Sequence, residues 1–112
     1  MTPSIELLII GDEILSGRTI DRNAVHMIAR LGEAGFPERH VSVSGDALDD
    51  LVEAFRIAAG RSDVVIATGG LGPTSDDRTF EAAAGAFGRS LRLNESVMRR
   101  IEDLFRRRQR FM

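Results

Sequence analysis

At 112 residues, with 43% apolar and 29% charged side chains, the chain has the size and composition of one folded domain, taken here as 1–112. A net charge of −2 gives no electrostatic case for nucleic acid. The lack of cysteine removes disulfide, thiolate and zinc–cysteine chemistry, and no apolar run is long enough to span a membrane.

In chain order, strand and helix signals alternate. Ile5 to Ile10 reads as a buried strand ended by Gly11, and a loop runs through Ser16-Gly17. A helix begins near Asp21, an N-cap residue, with Val25, Ile28, Ala29 and Leu31 facing inward, and Gly35 ends it. Val41 to Val43 is a short second strand. Asp46 caps a second helix, whose Leu48, Leu51, Val52, Phe55 and Ala59 follow the 3.6 period to Gly60. Asp63 to Thr68 is a third strand, with an apolar run that does not alternate, as in a strand covered on both faces. A third helix spans roughly Asp76 to Phe87, stopped by Gly88. Leu91-Arg92-Leu93 is strand-like, and Asn94 caps a fourth helix with Val97, Ile101, Leu104 and Phe105 on its apolar face. Single helices between strands predict βαβ units, a parallel sheet and right-handed crossovers. The run from Arg106 to Arg110 is read as a solvated helix C-terminus, which favours cations. The chain stops at Met112 while that helix is still running, so a piece of a longer protein, or a sheet completed by another chain, is expected.

The segment DVVIATGGLGPTSDDRTFEA, residues 63–82, carries the chemistry. A strand breaks into Thr68-Gly69-Gly70-Leu71-Gly72-Pro73-Thr74 and restarts as a helix near Ser75. Glycines let backbone N–H groups approach an anion, and a helix N-terminus adds partial positive charge. Asp76 and Asp77 cannot bind a phosphate directly but can hold a divalent cation that does. All 15 cationic lysine-or-arginine positions are arginine, so a Walker A loop is excluded for want of its lysine. The dinucleotide fingerprint fails too, because Gly70-Leu71-Gly72 is followed by no third glycine.

Ligands of open α/β sheets sit beyond the carboxyl ends of the strands, where strand order reverses. If the second and third strands flank the first, Asp12 and Glu13 face the glycine turn across a crevice and converge with Asp76 and Asp77. Asp46 opens on the same edge. Each element also has a structural explanation. Asp12 and Glu13 would then be plain loop carboxylates, and Asp76 and Asp77 would only favour the helix dipole. Thr79 would either support a phosphate or back-bond to its helix. Glu81 would be a general base, a supporting carboxylate or a solvated residue. Asp21 and Asn23 would be capping residues, although that helix start borders the crevice. His26 and His40 have no metal-ligand partner at useful spacing.

TGGLGPTSDDRTFEA, with GDEILSG after the first strand and IDRNA at the first helix, resembles the competence/damage-inducible CinA family, in its N-terminal molybdopterin-binding-like domain. The resemblance covers essentially the whole chain. It implies a three-layer α/β/α sandwich with a mainly parallel sheet, shared with molybdopterin adenylyltransferases and molybdenum-insertion enzymes. Active members of the family act as ADP-ribose pyrophosphatases with a divalent metal, for which Mg²⁺ is expected here, and some carry a nicotinamide-mononucleotide deamidase domain, which is expected to lie outside these 112 residues. By matching motifs, Gly69, Gly70, Gly72 and Thr74 fall on the family's phosphate loop. Asp76, Asp77, Thr79 and Glu81 fall on its acidic helix start, Asp12 and Glu13 on its GDE loop, and Asn23 on a polar position at the first helix. The family domain continues past this chain's end, which is therefore expected to be truncated.

Three functions share that cradle: a metal-dependent phosphoanhydride hydrolase, a non-catalytic molybdopterin or nucleotide-binding module, and a molybdopterin adenylyltransferase. The expected catalytic set is Asp76, Asp77 and Glu81. Thr68, Gly69, Gly70, Gly72, Thr74, Thr79 and Asn23 are the expected phosphate and nucleotide contacts, and Asp12, Glu13, Asp76 and Asp77 the expected metal ligands. A nucleotide or pterin is the expected partner, with no nucleic acid and no membrane. A cytoplasmic homo-oligomer, dimer or trimer, is expected.

Overall fold

The computed structural model describes residues 2–36 and 38–110. Three strands form a parallel sheet: β1 (Ile5–Ile10), β2 (Glu38–Ser44) and β3 (Val64–Thr68), in the order β2-β1-β3. Five helices accompany them: α1 (Asp12–Leu15), α2 (Asn23–Glu33), α3 (Leu48–Arg61), α4 (Thr79–Phe87) and α5 (Glu95–Arg110). The class is α/β, with a parallel sheet and helices, as expected. The chain crosses from β1 to β2 through α2, then back past β1 to β3 through α3. Right-handed crossovers in opposite directions put α2 and α3 on opposite faces of the sheet.

β1 is buried at all six positions because it has a strand on each side and layers above and below. Leu8 and Ile10 point to the face covered by α3 and α4, where they pack with Leu51, Phe55 and Ala82. Each fully buried leucine contributes about 1.5–3 kcal/mol relative to exposure. Phe55 and Phe87 meet edge to face, centroids 6.0 Å apart at 71°, which joins α3 to α4.

Within that apolar run sits a charge that pattern reading passes over. Glu6 is 0% exposed. Its carboxylate accepts from Arg61 Nε at 3.1 Å to each oxygen, from Arg61 Nη2, and from Ser62 Oγ at 2.9 Å. These bonds, Arg61 foremost, hold the Glu6 carboxyl below its ordinary range against the opposing pull of burial. The β1–β2 register slips by one residue there, from Ile5 opposite Glu38 to Glu6 opposite His40.

The details depart from the sequence expectation in several places. β3 is only half-buried, with Val64 exposed, because among the described residues it has a neighbour on one side only. The strand expected at Val41 to Val43 extends in both directions. The loop after β1 contains the short helix α1. The inward side of α2 carries Ala24, Met27 and Leu31 rather than Val25, Ile28 and Ala29, which are exposed. No strand forms at Leu91–Leu93. The helix expected from Asp76 starts only at Thr79, because Asp77 is held in the preceding turn.

Asn94 does cap α5, its Oδ1 accepting the Val97 N–H at 3.0 Å. The α5 arginines are exposed where described, and Arg106 lies 3.7 Å from both Glu102 and Asp103. Val97, Ile101, Leu104 and Phe105 are exposed as well.

Candidate functional site

The three parallel strands end on one edge, and each runs into a glycine: Gly11 after β1, Gly45 after β2 and Gly69 after β3. Because β2 and β3 flank β1, the glycine turn after β3 lies directly against the end of β1. A Cβ on Gly69 would be driven into the Ile10 carbonyl oxygen, and φ there is +96°. Gly70, at φ +66°, is closed in by the Thr79 hydroxyl. A side chain at either position meets both a steric and a backbone penalty.

Thr79 orients this turn. Its hydroxyl donates to the Gly69 carbonyl at 2.7 Å, and its N–H donates to the Gly70 carbonyl at 3.2 Å. No described peptide bond is cis, and a trans peptide points its C=O and N–H in opposite directions. With both carbonyls turned toward Thr79, the N–H groups of Gly70 and Leu71 point away from it. Neither donates to a protein group among the described residues. Two consecutive outward amides are a backbone donor set suited to an anion.

The other end of the turn is held by Asp77. Its Oδ2 accepts from the Thr74 N–H at 3.1 Å and from the Thr74 hydroxyl, while its own N–H donates to the Thr74 carbonyl at 3.0 Å. The Thr74 hydroxyl, then the N–H groups of Thr74 and Gly72, hold the Asp77 carboxyl below its usual range, opposed by burial. Asp76 beside it is exposed and makes no hydrogen bond among the described residues.

At the junction of β1 and β2, Asp12 and Asp46 interlock. Asp12 Oδ1 accepts the Asp46 N–H at 2.9 Å, and Asp46 Oδ2 accepts the Asp12 N–H at 3.1 Å. Asp46 therefore does not cap α3. Ala47 stands at that N-cap, with no side-chain cap. Glu13 is exposed, and its carboxylate folds back beside Gly11.

The other expected residues fall as follows. Thr68 ends β3, half-buried, opposite Ile9. Gly72 lies against the Asp77 carboxylate. Glu81 is exposed on the first turn of α4. Asn23 is exposed at the start of α2, where Asp21 accepts the N–H groups of Asn23 and Ala24 at 3.2 and 3.0 Å.

Asp12, Glu13, Asp76 and Asp77 do not form one cage. Among the described residues, no three His, Cys, Asp or Glu side chains converge to hold a metal. The cause is local, since Asp12 is turned to Asp46 and Asp77 to Thr74. Among the same residues no helix is long and apolar enough to cross a membrane.

Residues 6–111 match the family described as "Probable molybdopterin binding domain". A CinA-like protein of Geobacter sulfurreducens is 49% identical over 107 residues, covering 95% of this chain and 26% of that protein. The crystal structure of a CinA protein of unknown function from Thermoplasma acidophilum superposes with a TM-score of 0.87 at 38% identity, covering 93% of this chain and 62% of that one. A molybdopterin biosynthesis protein from Mycobacterium abscessus superposes with a TM-score of 0.68 at 28% identity, covering 74% and 52%. The chain spans about a quarter of the length of the CinA-like relatives it matches.

Proposed function

Because this chain belongs to the molybdopterin-binding domain family, and its relatives are CinA-like proteins, we propose that the outward amides of Gly70 and Leu71 receive the diphosphate of a nucleotide. The reaction proposed is divalent-metal-dependent hydrolysis of the phosphoanhydride, as in an ADP-ribose pyrophosphatase. The single observation behind it is the capture of both turn carbonyls by Thr79, which leaves two neighbouring N–H groups free to meet an anion.

The chain's own groups then divide the work. Gly70 and Leu71 hold and orient the diphosphate. Asp77 keeps the far side of the turn closed through Thr74. Asp12 Oδ2 and Asp46 Oδ1 remain without a protein partner among the described residues, and with Glu13 and Asp76 they are the carboxylates available to a cation. Mg²⁺ is the ion proposed, since it is commonly bound by one or two carboxylates plus substrate phosphates and water. Bound there, it would neutralise phosphate charge and lower the pKa of a water. Glu81 is the carboxylate assigned to accept a proton. A cytoplasmic, self-associating protein belongs to the same proposal.

A second reading is a binding module for molybdopterin or a nucleotide without turnover, to which the match to a probable molybdopterin binding domain points. Titration calorimetry with ADP-ribose, ATP and molybdopterin, beside an assay for AMP release with and without Mg²⁺, separates them. Mg²⁺-dependent AMP release supports hydrolysis. Binding without release supports the module. ATP-dependent adenylylation of the pterin would replace both with a transferase.

A further inference from the structure

We infer that Thr79 is a positioning residue for the anion-receiving turn, acting through the backbone and not by touching the ligand. This rests on the diphosphate reading above and names what sets the geometry of that site. The sequence pattern allows Thr79 a direct phosphate contact. The structure leaves it 4% exposed, at the first position of α4, with its hydroxyl already donated to the Gly69 carbonyl at 2.7 Å.

A hydroxyl has one proton to donate. Spent on Gly69, it is not offered to a phosphate. The effect on the site passes through two peptide planes. The Gly69 carbonyl shares its plane with the Gly70 N–H, and the Gly70 carbonyl, held by the Thr79 N–H, shares its plane with the Leu71 N–H. Fixing the two oxygens inward fixes the two amides outward. Both glycines have positive φ, a region where glycine has several accessible conformations, so these planes need an external restraint. The backbone bond from Thr79 restrains one plane whatever the side chain is. Among the described residues, the hydroxyl is the hydrogen-bond donor that restrains the other, the Gly69–Gly70 plane. The Gly70 amide is therefore the one that depends on residue 79.

The test is an amide NMR titration of the full chain with inorganic pyrophosphate. In the wild type, the Gly70 and Leu71 amide resonances shift on titration. Thr79→Val keeps the shape of the side chain and removes the donor. It weakens pyrophosphate binding about tenfold or more and abolishes the Gly70 response, while amides of β1 and α3 keep native shifts. Thr79→Ser, which retains the hydroxyl, restores affinity to within about threefold. Should Thr79→Val fail to fold, Thr79→Ala removes the same donor with less bulk and is read in the same way. A folded variant without the hydroxyl that binds like the wild type, with the Gly70 amide still responding, overturns the positioning role alone. A wild type whose Gly70 and Leu71 amides ignore pyrophosphate overturns the diphosphate reading and this inference with it.

Discussion

Asp12 and Asp46 each hold the other's backbone: the carboxylate of each accepts the N–H of its partner, across the ends of β1 and β2. The pair ties two strands together exactly at the edge where ligands of such sheets sit, and leaves one oxygen of each carboxylate without a protein partner among the described residues.

Amide and alanine substitutions at Asp46 should therefore part company. Asp46→Asn keeps an acceptor oxygen for the Asp12 N–H, so urea unfolding should change by less than about 0.5 kcal/mol. Its lost charge should weaken Mg²⁺-assisted ADP-ribose binding about tenfold, seen by calorimetry with and without the ion. Asp46→Ala should lose about 1 kcal/mol of stability as well. Equal Mg²⁺ dependence in Asp46→Asn and wild type would remove Asp46 from any cation site.

Asp76 and Asp77 are adjacent in sequence but differ in role. Asp76 is exposed and makes no hydrogen bond among the described residues, so Asp76→Asn should leave the melting temperature unchanged and any lost Mg²⁺ dependence reports on the ion alone. Asp77→Ala releases Thr74 and should loosen the turn, seen as faster amide exchange at Thr74 with or without metal. Identical exchange in Asp77→Ala would show that the turn holds its shape unaided.

Glu6 makes the fold acid-sensitive. Its carboxyl is held low in the folded state, so its contribution is complete above the ordinary carboxyl value and fades as pH falls through the folded value. Glu6→Gln should lose about 1–3 kcal/mol near pH 7. That is less than a fully enclosed pair would lose, because the Arg61 side chain is 39% exposed. The gap between variant and wild type should narrow below about pH 4. Urea unfolding at pH 7 and pH 3 measures both; a gap that widens in acid contradicts the sign.

Glycine-to-alanine changes should have opposite signs at two positions. Gly60, within α3, has open space around a would-be Cβ, and Gly60→Ala should stabilise by about 0.5–1 kcal/mol. Gly69→Ala drives a methyl into the Ile10 carbonyl at positive φ and should destabilise by about 1–3 kcal/mol. Thermal melts of both variants check the pair, and a neutral Gly69→Ala would mean that the turn can move off β1.

We propose self-association through α5, where Val97, Ile101, Leu104 and Phe105 form an exposed apolar stripe. Light scattering should report a dimer or trimer at micromolar concentration, and Ile101→Asp should reduce it. A folded species of 12.3 kDa at that concentration would contradict the proposal.

The parallel α/β class was legible because unbroken apolar runs and 3.6-period stripes alternate along the chain. The glycine turn was legible because few other patterns put Gly-Gly-Leu-Gly between a strand and a helix. Among the features that were not, three have an identifiable cause. The burial of β3 depends on how many neighbours it has, which no local run encodes. The start of α4 was misplaced because Asp77 has two local uses, capping a helix or bracing Thr74, and the second won. Glu6 was invisible because its partner Arg61 lies at the far end of α3, and a single charge in an apolar run gives no sign of what it will meet.

The central place of β1 also bears on how the chain is made. β1 is made before both of its neighbours, which begin only at Glu38 and Val64. A Leu7-Leu8-Ile9-Ile10 stretch thus has β2 to pair with only after Ser44 is made, and β3 only after Thr68. Such long-range parallel pairing slows folding and exposes apolar strand surface meanwhile. A segment at the centre of the finished core is thus one that stays unpaired for part of its synthesis.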